Sequence, residues 1–280
     1  MLKKSSKPTL DKLKNLLANV GDMALKARAV NIVLGLGLED QDKILDIGCG
    51  NGYYLYLLNN LEVKVALTGV DSDDNALKSA REIVDNKNIK LLKADATKLP
   101  FKDLSFDKVL MSEVIEHIDA EEKALSEIKR VLKPGGLLVL TTCNIDYPFF
   151  WDPINWILQG LFNTHIRSGF WAGIWNHHIR LYKMDRLKKL IVKEGFMVEE
   201  IKPLTFWCIP FNHYLVNFMA RLFYSDKLPK NISRGINKFD TGRQIPMVKF
   251  IFWLVNKIDY LNELFPQKSG VSIFVKAVRK

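Results

Sequence analysis

The sequence predicts an α/β fold, a mainly parallel sheet with helices on both faces. Two observations carry this. Between residues 43 and 142, short apolar runs alternate with amphipathic segments, and strand-helix-strand alternation builds a parallel sheet. In addition, a glycine-rich turn, Gly48-Cys49-Gly50-Asn51-Gly52, follows the first apolar run and opens the first amphipathic segment of that series.

Taken in order, 9–36 reads as helical, with Leu10, Leu13, Leu16, Leu17 and Val20 at three- and four-residue spacing and a break expected at Gly21. Strand-like runs follow at 43–47, 65–70, 89–94, 108–111 and 137–141, with helical stretches at 53–60, 74–85 and 121–131 between them. Lys133-Pro134-Gly135-Gly136 reads as a turn that stops a helix and delivers the next strand. Beyond residue 142 the composition changes, and 146–182 holds Trp151, Trp156, Trp171 and Trp175. A helix over 184–194, ended by Gly195, and strands at 196–201 and 271–278 complete the reading. The organisation is then N-terminal helices at 1–36, a core at 37–204 with an aromatic insertion at 146–182, a basic aromatic helical cap at 205–268, and a final core strand within 269–280.

Composition sets bounds. The 280 residues are 48% hydrophobic and 11% aromatic, enough for a sizeable core and against general disorder. Three scattered cysteines, Cys49, Cys143 and Cys208, form no disulfide framework and no Cys-x-x-Cys pair, which fits a reducing compartment. No signal-peptide pattern and no uncharged apolar run of 18 residues is present, so a cytoplasmic protein without a conventional membrane span is expected, possible contact being at the membrane's inner face. The net charge of +10 is uneven. Residues 1–30 carry seven basic against two acidic side chains, 31–200 carry 21 against 25, and 201–280 carry 13 against four. The flanks therefore hold the whole excess, which points to an anionic surface or to solubility.

The glycine turn permits close backbone approach to a ligand, and the following helix presents its N-terminal amides. Asp71 and Asp95 close the next two strand runs, and in an open parallel sheet ligands sit beyond the carboxyl ends of the strands. A dinucleotide dehydrogenase shares such a turn, but its Gly-x-Gly-x-x-Gly pattern would need glycine where Tyr53 stands. A turn that only connects strand to helix is the bland alternative. Asp46-Ile47-Gly48-Cys49-Gly50-Asn51-Gly52 resembles the glycine motif of class I S-adenosylmethionine-dependent methyltransferases, of the type 11, ubiquinone-pathway-like kind. The resemblance extends through Gly69-Val70-Asp71, Lys93-Ala94-Asp95-Ala96, Phe106-Asp107-Lys108-Val109 and Leu132-Lys133-Pro134-Gly135-Gly136, over roughly 43–142 and, less closely, 177–201.

The resemblance implies a doubly wound, Rossmann-like sheet of seven strands, the last antiparallel. It implies S-adenosylmethionine as cofactor, its amino-acid part held by Asp46, Gly48, Cys49, Gly50 and Gly52. Asp71, with Ser72 beside it, would accept from the ribose hydroxyls. Asp95 would accept from the adenine amino group with the Ala96 amide near the ring, and Ser112 and Glu113 would border the methionine end.

Glu113, Glu116 and His117 share one face if 113–117 is helical. With a further imidazole from the His177-His178 pair, His177 first, they could bind a divalent cation, or His117, Glu116 and His177 could serve in general-base catalysis. Similar Glu-x-x-Glu-His runs occur in metal-dependent O-methyltransferases, and also in relatives with no metal. In the cap, Met247, Phe250, Ile251, Leu254, Ile258, Leu261 and Phe265 keep helical spacing. That stripe fits packing on the core, or an interfacial helix on an anionic membrane or over an apolar, lipid-linked acceptor. A soluble small-molecule acceptor, or a non-catalytic cofactor-binding protein using the cap for interactions, are the alternatives. Aromatics in apolar runs rather than interleaved with Lys and Arg argue against nucleic acid. Nothing in the sequence sets an oligomeric state.

Overall fold

The structure is a computed structural model. It describes residues 6–18, 20–211 and 267–280, together with Tyr214, Phe218, Pro246, Trp253, 256–258, 260–262, Leu264 and Phe265. Most of 205–268, including the greater part of the 247–265 stripe, lies outside the described residues.

Seven strands, β1 (Lys43–Ile47), β2 (Ala66–Asp71), β3 (Lys90–Lys93), β4 (Phe106–Ser112), β5 (Leu132–Cys143), β6 (Phe196–Leu204) and β7 (Ser272–Arg279), form one sheet in the order 3-2-1-4-5-7-6. β1 to β5 pair in parallel, while β7 runs antiparallel to both β5 and β6. Helices α1 (Ser6–Leu16), α2 (Met23–Leu36), α3 (Tyr53–Asn59) and α4 (Asp74–Val84) cover one face through Leu13, Ile32, Leu36, Leu55 and Leu77. On the other, α5 (Glu121–Val131) and α7 (Met184–Lys193) bury Leu125, Ile128, Leu187 and Ile191; α6 (Pro153–Phe162) lies in the insertion. Four of the five residues of β1 are buried because both faces are covered.

The break near Gly21 exists. Asp22 caps α2 by accepting from the Leu25 amide at 3.0 Å, and Gly37 ends the helix in the left-handed region. Two local expectations need correction. Lys133-Pro134-Gly135-Gly136 does not precede the strand but bulges within β5, where the register jumps from Phe106↔Leu132 to Lys108↔Leu137 and Gly135 has φ +72°. Residues 113–117 are no α-helix. The Glu113 amide donates to the Thr141 carbonyl, continuing the β4–β5 ladder, and Glu113 takes φ +55°. Only a 3-10 turn over Ile115–His117 follows, and Ile118 returns to extended backbone. Glu116 therefore turns inward and His117 outward, instead of sharing a face.

The insertion is organised around buried Asp152. Its carboxylate accepts from the Asn155 amide at 3.1 Å, the Ile174 amide at 3.0 Å and the Tyr214 hydroxyl at 2.5 Å. Asn262, in turn, accepts from the Phe206 and Trp207 amides at 2.8 Å, holding that part of the chain against the end of β6. Among the described residues no helix is long and apolar enough to cross a membrane.

Candidate active site

The strand ends β1, β2 and β4 meet at the glycine turn. The Gly48 and Cys49 amides both donate to the Val70 carbonyl, at 2.8 and 3.0 Å, so the turn is stitched to β2. Gly48 has φ +68°, and a Cβ there would lie 2.3 Å from Val114 Cγ2; Gly50 has φ +53° with nothing within 4 Å. Gly48→Ala therefore combines left-handed strain of about 1–2 kcal/mol with overpacking of about 1–3 kcal/mol, while Gly50→Ala meets only the strain. Thermal melts of the two variants should rank Gly48→Ala clearly lower, and Val114→Ala should restore part of its loss. Equal melting temperatures would contradict this packing.

Asp71 positions two loops with one carboxylate. Oδ2 accepts from the Gly50 amide at 2.8 Å and Oδ1 from the Asp73 amide at 2.9 Å, leaving further lone pairs on both oxygens. Asp95 is exposed and accepts from the Thr97 amide at 2.7 Å, which holds its carboxyl below the usual carboxylate range. Ser72 is exposed, and Ala96 lies in the same loop as Asp95. Asp46, 1% exposed, has no partner for Oδ2 among the described residues. Burial, with the nearby Asp71 charge second, pushes its carboxyl well above the usual range. Burial likewise pushes the Cys49 thiol up.

Past β4, Ser112 bonds Tyr54 at 3.1 Å and Thr141 at 2.8 Å. Arg28 of α2 reaches Glu113 at 3.5 Å and donates to Ser272 Oγ at 3.0 Å, and the Cys143 thiol donates to Glu113 at 3.2 Å. Glu116 is 0% exposed; burial and the Glu113 charge push its carboxyl up to about 8. Thr142 donates to Glu116 Oε2 at 2.9 Å, and His178 Nε2 lies 3.9 Å from Oε1. His117 and His177 are exposed, His117 Nδ1 lying 2.9 Å from the His177 carbonyl oxygen.

The structure thus brings Asp46, Gly48, Cys49, Gly50, Gly52 and Asp71 to one turn. It does not gather Glu113, Glu116, His117 and His177 as one ligand set. Among the described residues, the cluster that does gather three metal-type donors is Glu116, Cys143 and His178. The sequence offers the His177-His178 pair as a source of a further imidazole, and the structure turns His178 rather than His177 to Glu116; Arg28, Tyr54 and Cys143 are not among the site residues read from the sequence. Arg28 sits on α2, Tyr54 on α3 and Cys143 at the end of β5, and they meet His178 of the aromatic insertion only in the folded chain.

Residues 45–140 match the protein family described as Methyltransferase domain. The chain is 33% identical over 138 residues to the ubiquinone/menaquinone biosynthesis C-methyltransferase UbiE of Campylobacter jejuni, covering 48% of this chain and 58% of that protein. The chain therefore spans less than two thirds of that relative's length. The crystal structure of the [4+2]-cyclase SpnF is similar with a TM-score of 0.57 at 16% identity, covering 90% of this chain and 79% of the other. Haemonchus contortus phosphoethanolamine N-methyltransferase 2, in complex with S-adenosyl-L-methionine, gives 0.55 at 20% identity over 90% of this chain and 52% of the other. These two likenesses show the fold alone.

Residues 45–140 thus match a methyltransferase domain within a sheet of order 3-2-1-4-5-7-6, and the cofactor that the sequence resemblance implies is S-adenosylmethionine. The chain's similarity in sequence is to methyltransferases of the ubiquinone/menaquinone pathway. The residues present fit that cofactor on their own chemistry. The open space at Gly50 admits a ligand against the backbone, and the orphaned Asp46 oxygen is matched by a group that donates N–H or carries positive charge.

Proposed function

We propose that the protein transfers a methyl group from S-adenosylmethionine to an oxygen or carbon of an apolar, quinone-type or lipid-linked acceptor. The observation that carries this reading is the buried Asp46 oxygen, without a partner among the described residues, beside a glycine turn that is tied to Asp71. Asp46 and the turn from Gly48 to Gly52 would hold the cofactor's amino-acid part. Asp71, with Ser72, would take the ribose hydroxyls; Asp95 and Ala96 the adenine; Ser112 and Glu113 would border the methionine end. When bound, the cofactor supplies an electrophilic methyl group on a sulfonium.

The chain's own residues have the remaining tasks. A carbonyl only accepts, so neutral His117 carries its proton on Nδ1 toward the His177 oxygen and its lone pair on Nε2. His117 can then draw a proton from the acceptor hydroxyl, with Glu116 as the buried acid on the same turn. His117→Ala is expected to lower turnover about 10²- to 10⁴-fold while cofactor affinity is unchanged. Steady-state rates beside binding measurements check this, and an undiminished rate would leave alignment alone to drive the reaction.

The acceptor class rests on the printed name of the Campylobacter relative and on exposed Phe149, Phe150, Trp156 and Trp171 in the aromatic insertion. The charged flanks extend the reading to peripheral contact with an anionic membrane, made by 205–268 with the N-terminal lysines. Each Lys or Arg near such a surface contributes about 1 kcal/mol, fading within about 8 Å at physiological salt. Flotation with anionic liposomes should show binding at low salt and a salt-resistant remainder from inserted aromatics. No binding at low salt would remove the membrane contact from this account.

Supplying cofactor with a labelled methyl group and a total lipid extract tests the reaction. Label is expected in an organic-soluble product. Label confined to water-soluble products of a cell extract would overturn the acceptor class, and no transfer by cofactor-loaded protein would overturn the enzymatic reading.

A further inference from the structure

We infer that Glu116, Cys143 and His178 form a binding site for one zinc-class divalent ion beside the acceptor side of the domain. Their donor atoms, a carboxylate oxygen, a thiol sulfur and an imidazole nitrogen, all lie within 4.8 Å of one another. They come from three separate places: the 3-10 turn after β4, the last residue of β5, and the end of the aromatic insertion. The site goes beyond methyl transfer and does not depend on it.

An independent observation points to a ligand here. Glu116 is 0% exposed, yet among the described residues Oε1 has no hydrogen-bond partner, and it faces His178 Nε2 at 3.9 Å. A buried carboxylate oxygen left without a donor or cation is costly. The surroundings also orient the donors. Thr142 fixes the other Glu116 oxygen at 2.9 Å, which aims Oε1 into the cluster. His178 Nδ1 donates to the Ile174 carbonyl, which places the neutral ring's lone pair on Nε2. A ring nitrogen donating to a backbone carbonyl while the other faces a metal is the usual arrangement around ligating histidines. Glu113, which accepts from the Cys143 thiol at 3.2 Å, has a second buried oxygen without a hydrogen-bond partner among the described residues, at the rim of the same cluster.

The donor set selects the ion. One sulfur, one nitrogen and one oxygen suit zinc or cobalt rather than magnesium or calcium, which take oxygen ligands. Ligand distances of about 2.0–2.3 Å to zinc put tetrahedral donors roughly 3.3–3.8 Å apart, so the cluster must close by about 1 Å. Binding exchanges the Cys143 S–H bond for a sulfur–metal bond and releases that proton to solvent. Three protein ligands leave a fourth position open.

The test uses full-length protein stripped with chelator and titrated with Co²⁺ as the coloured probe for Zn²⁺. One equivalent is expected to bind, with thiolate-to-cobalt charge-transfer absorption and tetrahedral d–d bands, and to be displaced by one equivalent of Zn²⁺. Cys143→Ser should abolish the charge-transfer absorption, and Cys208→Ser should retain it. His178→Ala and Glu116→Gln should each weaken affinity at least tenfold, and they carry the test if Cys143→Ser does not fold. Absence of stoichiometric binding, a charge-transfer band that survives Cys143→Ser, or displacement by equimolar Mg²⁺ would overturn the site. Cofactor binding measured on the same samples separates the two readings. Protein that binds S-adenosylmethionine but no metal contradicts only this site, and protein that binds metal but no cofactor contradicts only the methyl-transfer reading.

Discussion

Asp71→Ala is expected to weaken S-adenosylmethionine binding about ten- to a hundredfold without unfolding the protein. The carboxylate serves two masters in the structure. It accepts from the Gly50 and Asp73 amides, and so fixes both the glycine turn and the start of the β2–α4 loop. It also has lone pairs left for the ribose. Removing it leaves ligand hydroxyls unpaired and loosens the turn, at about 1–3 kcal/mol for a polar group left unsatisfied. Equilibrium dialysis with labelled cofactor reads the change, and circular dichroism confirms the fold. Unchanged affinity in folded protein would mean that the ribose lies elsewhere.

Arg28→Ala should cost about 3–5 kcal/mol of folding stability, the range for breaking a buried ion pair from one side. Arg28 and Glu113 are largely buried, and their contact at 3.5 Å places a cation among Glu113, Cys143 and Glu116. Without it, the Glu113 carboxylate loses its cationic partner in a largely buried setting with another acid nearby. Arg28 also ties α2 to β7 through Ser272. Urea denaturation should show the loss, and adding Glu113→Gln to Arg28→Ala should restore a large part of it, because the stranded charge is then gone. A double variant as unstable as the single would assign the effect to lost packing by the Arg28 stem.

A third substitution separates binding from stability. Asp46→Asn should weaken cofactor binding about tenfold, because it removes the charge that faces the ligand. The native carboxyl is raised, so its contribution to stability is complete at low pH and lost as pH rises through its folded value. In the variant that decline should disappear, and the melting temperature of cofactor-free protein should not fall. A variant that melts much lower at every pH would make Asp46 a structural residue.

The sheet was legible because apolar runs bounded by glycine and aspartate repeat through 43–142, and buried parallel strands have little other pattern to adopt. The glycine turn and the acids at the carboxyl ends of β1 and β2 and just past β3 were legible for a related reason: strand ends converge by topology, so residues at those ends meet whatever the loops do. The acceptor side was harder to read. A helix over 113–117 would align Glu113, Glu116 and His117, but the Glu113 amide is claimed by Thr141 and the backbone turns to φ +55°. That one residue sends Glu116 inward to Thr142 and His178 and leaves His117 outside. Cys143 and Arg28 join the cluster from 30 and 85 positions away from Glu113, separations at which sequence spacing carries no information. Gly135 was recognised as a turn residue, but its turn bulges inside β5 because the strand pairs with β4 on both sides of it.

Hydrogen–deuterium exchange of the whole protein with and without S-adenosylmethionine tests the central claim most directly, since it locates the cofactor. The account predicts added protection of backbone amides at 48–52, 71–74 and 95–97, with α5 and α7 on the opposite face of the sheet unchanged. Protection absent from the glycine turn and from the loop after Asp71, in protein that binds the cofactor, would contradict it.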